Sequence, residues 1–319
     1  MTGMAYPSVA PATNLAQARE LNMALAAPDP ARMQSRGYSL EPLQPERWPV
    51  ALEVLRRNYP KTPAAWWGQG IKRLQDVPPN NDRRPMGMLM HGPRGVAGVT
   101  LLFESTRPRE GTTQRQVNAS SWAIEPADRM HALWMAKNTL CDTGAIYTAL
   151  TPIPQALRIL QRLGFAAVSQ QRVLVMALQH ARQQSNAPRV LNVSETLQAF
   201  KDSPMLQVLQ DHDRLGCIVC ALELSDRLVP LVLRTRWQSR LIPVAEVIYT
   251  PSVADIMSTV VPLSRFLLRH GIFLLEFEAH EDALVDISCT RLFRRRFARG
   301  PYQSEGIDHL YSELVYLKN

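Results

Sequence analysis

Cysteine is scarce in this chain: four residues among 319 cannot build a disulfide framework, which points to a reducing compartment. The apolar stretch 228–233 is cut by Arg234 and Arg236, and no uncharged apolar run reaches the roughly 18 residues a membrane-spanning helix needs. No Lys or Arg precedes Arg19, and residues 7–15 are rich in Pro, Ala and Ser. The charged head and apolar middle of a signal peptide are both missing, so a cytoplasmic protein is expected. None of the seven His lies close to another. Cys217 and Cys220 flank Ile218 and Val219 in a strand-like stretch, where positions three apart face opposite sides; no metal site is expected.

Hydrophobic residues make up 46% and charged residues 20%, which excludes a disordered or collagen-like chain and allows a substantial core. At ~150 residues per domain the length suggests about two domains. A formal net charge of +8 attracts anions: nucleic acid, acidic lipid, or phosphorylated small molecules such as coenzymes.

Residues 1–33, with four prolines and many alanines, read as a flexible N-terminal arm; 34–180 form a first domain, 181–189 a linker, and 190–319 a second domain. The first domain reads as a short strand at 38–40, helices at 45–57 and 63–74, a hairpin of 86–90 with 96–103, and a polar excursion over 104–115. A strand at 117–124 stopped by Pro126 follows, then a helix over 130–142, a strand at 145–150, a helix over 153–163 capped by Gly164, and strands within 165–176. The second domain partly repeats this order. It reads as a helix over 194–209, strands at 216–222, 228–234 and 243–249, a helix over 251–270, and strands at 272–277 and 311–317. Strands and helices in this alternation predict an α/β protein.

The stretch Ile124-Glu-Pro-Ala-Asp-Arg129, followed after a helix, strand and helix by Leu163-Gly164-Phe165, resembles the GNAT superfamily of acyl-CoA-dependent N-acyltransferases. The resemblance covers residues 36–178; for 190–317 element order alone suggests it. It implies an α/β fold of two GNAT-like domains in tandem, with mixed central sheets flanked by helices. It also implies acetyl-CoA or another acyl-CoA as co-substrate. Helix N-termini expose unpaired N–H groups and suit a pyrophosphate. Arg129, Met130, His131 and Ala132 stand at that turn, and Trp122, Ala123 and Ile124 would run beside the pantetheine arm. Two departures stand out. Ala132 and Trp134 replace the family's glycines, and Leu160 replaces its usual Tyr, the thiolate-protonating acid.

The candidate catalytic groups are Ser120, Ser121, His131 and Glu104. Ser120 and Ser121 are neighbours on a strand and should face opposite sides, so one of them could polarise the acyl oxygen. His131 titrates in the right range for proton transfer, and Glu104 could act as a base; ordinary strand or surface roles compete for each. Asn118, Tyr59, Trp66 and Trp67 are substrate-binding candidates, the aromatics through their faces. Thr151 reads as a helix cap before Pro152 and Pro154, with Gln155 reaching the cleft. Arg234, Arg236 and Arg240 form a second positive area, while Asp308, His309 and Glu313 either serve an acceptor site between domains or decorate a turn. Within Arg291–Arg299, Phe293 and Phe297 at helical spacing would anchor one face, which disfavours nucleic-acid stacking.

The expected activity is transfer of an acetyl or other acyl group from acyl-CoA to a primary amine of a small-molecule or peptide acceptor, without a covalent acyl-enzyme. The alternative is a non-catalytic acyl-CoA-binding or scaffold protein with a degenerate GNAT fold.

Overall fold

Apolar residues at Ala51, Val54 and Leu55 share one face of a helix, and burying that face against a sheet sets the first layer of the fold. The computed structural model describes residues 34–317 apart from 36, 80–83, 110–111, 169–170, 184–188, 240, 281–288, 293–295 and 303–305. The predicted arm at 1–33, most of the predicted linker, Arg240 and Phe293 lie outside the described residues.

The chain enters through strands β1 (Gln34–Ser35) and β2 (Tyr38–Pro42), then helices α1 (Trp48–Asn58) and α2 (Ala64–Asp76). A meander follows of β3 (Gly87–Gly92), β4 (Gly95–Arg109) and β5 (Thr112–Ile124). A 3-10 turn at Pro126–His131 leads into α3 (Ala132–Thr139), β6 (Ile146–Ala149), α4 (Pro154–Arg162), β7 (Ala166–Ala167), β8 (Gln171–Met176) and α5 (Ala177–Ala181). The remainder comprises β9 (Val190–Leu191), α6 (Val193–Ala199), α7 (Leu206–Arg214), β10 (Ile218–Glu223), β11 (Leu228–Gln238) and β12 (Ile242–Thr250). It continues with α8 (Val253–Ser258), α9 (Val260–Arg269), β13 (Leu274–Ala279), β14 (Cys289–Leu292), β15 (Phe297–Arg299), β16 (Ile307–Asp308) and α10 (Glu313–Tyr316).

These form two mixed sheets flanked by helices, an α/β architecture. The first has the order β1-β2-β3-β4-β5-β6-β15-β7 and the second β14-β8-β13-β12-β11-β10-β9, with β16 on the edge of β12. Each contains one parallel pair, β5 with β6 and β12 with β13. Sheet membership does not divide at residues 181–189. Strand β8 hydrogen-bonds between β13 and β14 in the second sheet, and β15 pairs with β6 and β7 in the first. One apolar core accordingly runs through both sheets, from Val54 and Trp67 to Leu209, Val232, Tyr311 and Tyr316.

Several elements differ from the sequence expectation for identifiable reasons. The polar stretch 104–115 continues two long strands instead of looping out, because distant segments pair its charges. Arg115 lies 2.7 Å from both Glu104 and Asp142, Arg107 donates to Asp308 at 3.1 Å, and the Gln116 amide donates to the Asp308 carbonyl at 2.8 Å. Residues 311–317 form a buried helical turn, not a strand, with the Leu317 N–H donating to the Glu313 carbonyl at 2.9 Å. Residues 291–299 supply two strands in place of the expected helix, and Phe297 packs as a strand residue beside β6. The helix expected over 251–270 breaks at Thr259, which keeps Pro262 within the first turn of α9, where its missing N–H costs least. The one over 194–209 breaks around Ser203 and Pro204.

Gly87 holds φ +147°, and a Cβ there would lie 1.9 Å from the Thr100 carbonyl oxygen. Gly87→Ala is expected to destabilise the fold by about 1–3 kcal/mol, read as a lower urea midpoint at unchanged slope. No described helix is long and apolar enough to cross a membrane.

Candidate functional site

The parallel register of β5 on β6 runs Gln116↔Ile146, Val117↔Tyr147, Asn118↔Thr148 and then stops. Strand β5 continues to Ile124 with only β4 beside it among the described residues, so the edge from Ala119 to Ile124 is left open. The β4–β5 ladder itself shifts register, Val99 facing Ala123 but Leu101 facing Ser120, and Ser121 at the bulge takes φ +48°. A bulge re-aims side chains, and a non-glycine residue in the left-handed region marks local strain. Its consequence corrects the sequence expectation: the pleat no longer alternates here, and Ser120 and Ser121 lie on the same side with their hydroxyl oxygens 3.0 Å apart.

A cavity of about 950 Å³ opens at this splay. Its walls are Ser120, Ser121, Trp122 and Ile124 of β5, Ala132 and Ala136 of α3 and Thr151 to Leu160 around α4. Tyr59, Trp66 and Trp67 close one side, and Arg234, Arg236 and Trp237 of β11 reach in from the second sheet. Glu313 and Leu314 complete the far end.

Glu313 is buried at this junction and accepts three hydrogen bonds. One carboxylate oxygen accepts from the Ser120 hydroxyl; the other accepts from the Thr151 hydroxyl at 2.9 Å and from its N–H at 3.1 Å. The Glu313 N–H donates to the Asn118 side-chain oxygen at 2.8 Å, and Asn118 in turn donates to Thr148 at 3.3 Å. Asn118 thus ties α10 to the last paired rung of β5 and β6. Burial raises the Glu313 carboxyl above the ordinary carboxylate range, against the opposing pull of the Ser120 and Thr151 hydrogen bonds and of Arg234. Thr151, expected to cap α4, spends its hydroxyl on Glu313 instead, and α4 starts from Ile153 without a side-chain cap.

The segment 306–317 brings Glu313 here by crossing from one sheet to the other. Strand β16 pairs with Tyr249 and Thr250, Asp308 meets Arg107, and the Tyr311 phenol donates to Asp211 at 2.7 Å. Beyond Glu313, Arg234 donates to the Leu314 carbonyl at 2.8 Å, Arg73 donates to the Tyr316 carbonyl at 2.9 Å, and the Tyr316 phenol donates to the Val77 carbonyl at 2.9 Å. In the sequence Glu313 stood only among polar residues near a turn. No local signal distinguishes it, since its burial comes from both sheets.

The other predicted residues divide clearly. Tyr59, Trp66, Trp67, Trp122, Ile124, Arg129, Ala132 and Gln155 line the cavity. The Tyr59 phenol donates to the Trp122 carbonyl at 2.9 Å, and burial pushes its pKa up to about 12. Ala123 is packed in the core, and Met130 projects into solvent, 84% exposed; neither lines the cavity. His131 stacks on Tyr38 at 3.7 Å between ring centroids, away from the cavity. Glu104 lies outside it too, spent on Arg115 and Arg84. Trp134 packs beside Met88, Met90 and Met135 and does not block the start of α3. His309 is buried 3.3 Å from Glu278, below the cavity.

Behind β11 the second sheet carries a buried ionic cluster. Arg234 grips Glu246 at 2.6 Å, Arg296 lies 2.5 Å from Glu246 and 2.6 Å from Glu278, and Arg172 and Arg236 both pair with Glu276. Burial alone would raise the Glu246 carboxyl, but Arg234, Arg296 and Arg172 hold it at about 2.

No protein-family model matches this sequence, and no curated protein matches it. The fold, by contrast, has clear relatives. A GCN5-related N-acetyltransferase from Anabaena variabilis superposes with a TM-score of 0.56 at 12% identity, covering 82% of this chain and 72% of that one. A GCN5-related N-acetyltransferase from Kribbella flavida gives 0.53 at 11% identity, covering 85% and 72%. The chain carries a divergent GNAT fold.

Proposed function

We propose that this protein transfers an acyl group from acyl-CoA to a primary amine, with two GNAT-like halves in tandem. The first half holds the coenzyme, and the segment 306–317 completes the reactive end. The observation that carries this reading is a buried carboxylate, Glu313, at the point where β5 and β6 separate.

The open edge of β5 from Ala119 to Ile124 offers backbone groups to the amides of a pantetheine arm, as a missing strand neighbour would. Arg129, which lines the cavity at the turn before α3, suits the charge of a pyrophosphate. Ala132 and Ala136 keep that wall low. At the other end Glu313, as carboxylate, takes a proton from the amine while nitrogen bonds to the thioester carbonyl carbon. The C–S bond then breaks, and the thiolate leaves with a proton from water. Tyr59 is not assigned as its proton source, because its phenol proton is committed to the Trp122 carbonyl at 2.9 Å. It anchors the Trp122 carbonyl and so the bulge. Ser120 and Thr151 orient Glu313 by donating hydrogen bonds to its two carboxylate oxygens.

Thiol release from acetyl-CoA with a panel of primary amines tests the reading. Amine-dependent release with an acylated product is expected; coenzyme binding without turnover would make this a binding protein. Ala132→Trp should fill the coenzyme end and weaken acyl-CoA binding by about tenfold or more by calorimetry, with little change in melting temperature.

A further inference from the structure

Resting on the acyl-transfer reading, we propose that the acceptor amine also carries a carboxylate, held by Arg236. Among the described residues, the charged side chains lining the cavity are Arg129, Arg234 and Arg236 against Glu313 alone. Arg129 stands at the coenzyme end, so the acceptor end presents two guanidinium groups beside the carboxylate that must take the amine's proton.

Those two arginines differ in what they have left to give. Arg234 is spent: two of its nitrogens meet Glu246 at 2.7 and 2.6 Å, and a third donates to the Leu314 carbonyl at 2.8 Å. Arg236 donates one nitrogen to Glu276 and keeps another 3.7 Å from Glu246, with its side chain 25% exposed to the cavity side. A guanidinium has five N–H donors in a planar fork, and the remaining ones suit a carboxylate.

The charge balance behind it points the same way. Arg172, Arg234, Arg236 and Arg296 share Glu246, Glu276 and Glu278. Burial and Arg296 push His309 downward, so it adds no charge at neutral pH. Among the described residues, four guanidinium groups therefore face three carboxylates, and an unbalanced buried charge is costly. Glu313 balances the fourth only while ionised, and it loses that charge on accepting the amine's proton. A carboxylate brought by the acceptor offsets the cluster throughout the reaction. A cationic acceptor would instead meet like charge. Arg234 and Arg236 lie on one face of β11, two residues and about 7 Å apart, and Arg234 touches the residue after Glu313. The amine and the carboxylate are accordingly separated by several bonds.

The probes are 5-aminopentanoate, 5-aminopentanamide and 1,5-diaminopentane, measured for binding to the CoA-saturated protein by calorimetry and for acylation from acetyl-CoA by mass spectrometry. The carboxylate should bind about tenfold or more tightly than the amide. Arg236→Lys should retain that preference. Arg236→Gln, which leaves Glu276 still paired with Arg172, should bring the ratio to about one. Equal binding of the amide or diamine by the wild type, or a preference that survives Arg236→Gln, overturns the proposal even if every amine is acylated. A tenfold preference for the carboxylate with no acylation of any probe would keep the anion subsite and sink the acyl-transfer reading.

Discussion

Glu313→Gln is expected to lower kcat/KM for amine acylation by about 10²- to 10⁴-fold, the range for removing a positioned proton acceptor. Glutamine matches the shape and can still accept from Ser120 or Thr151, so acyl-CoA binding should change little and the loss should fall on the chemical step. The pH profile separates this role from a structural one. Only the ionised carboxyl accepts a proton, and burial has raised its pKa. Wild-type kcat/KM should therefore climb with pH through that raised value, and the variant should lose this limb. Stability has the opposite sign. A carboxyl whose pKa is higher folded than unfolded favours the fold below its unfolded value, near ~4.3, and loses that contribution as pH rises through the folded one. Relative to wild type, the melting temperature of Glu313→Gln should thus improve from pH 5 to pH 9. A variant whose melting temperature falls in step with its activity would sink the assignment of Glu313 as base.

Glu246→Gln is expected to cost about 3–5 kcal/mol of folding free energy, because it leaves Arg234 and Arg296 buried without their shared carboxylate. Urea unfolding at pH 7 measures it. The acid limb gives a second check. Glu246 titrates at about 2 when folded, against ~4.3 unfolded, and Glu278 is also held low by Arg296 and His309 against its burial. Their contribution is complete above the unfolded value and is lost as pH falls through the folded one. His309, pushed down by burial, begins to act higher: its contribution is complete above ~6.5 and declines below it. Wild-type stability should fall steadily on acidification below pH 6.5, and the variant should show a shallower fall below pH 4. A cost under about 1 kcal/mol would mean that the cluster is solvated and not the buried network described here.

Much of the strand–turn–helix unit beside the cavity was legible locally. Pro126 ends a strand because it cannot donate to a ladder, and Gly164 caps α4 with φ +81°, a conformation glycine adopts without strain. Arg129, Ala132, Tyr59, Trp66 and Trp67 all line the cavity beside that unit. The reading of Ser120 and Ser121 failed because alternation assumes an unbroken pleat, and the bulge that breaks it depends on how β4 lies against β5. Glu104 looked like a base at a strand end until Arg115, eleven residues on, folded back to neutralise it.

Residue order alone, then, settled the α/β class and the strand–turn–helix order around Pro126, since these follow from backbone geometry and periodicity within a few turns of chain. Only packing decided which carboxylate stands where β5 and β6 separate and which arginine keeps donors to spare. Glu313 is 193 positions from Ser120, and its burial, raised pKa and hydrogen bonds exist only because β16 and α10 carry the chain from the second sheet into the gap left by the first. Charge in a protein takes its chemistry from its surroundings, and those surroundings were assembled from segments far apart in the chain.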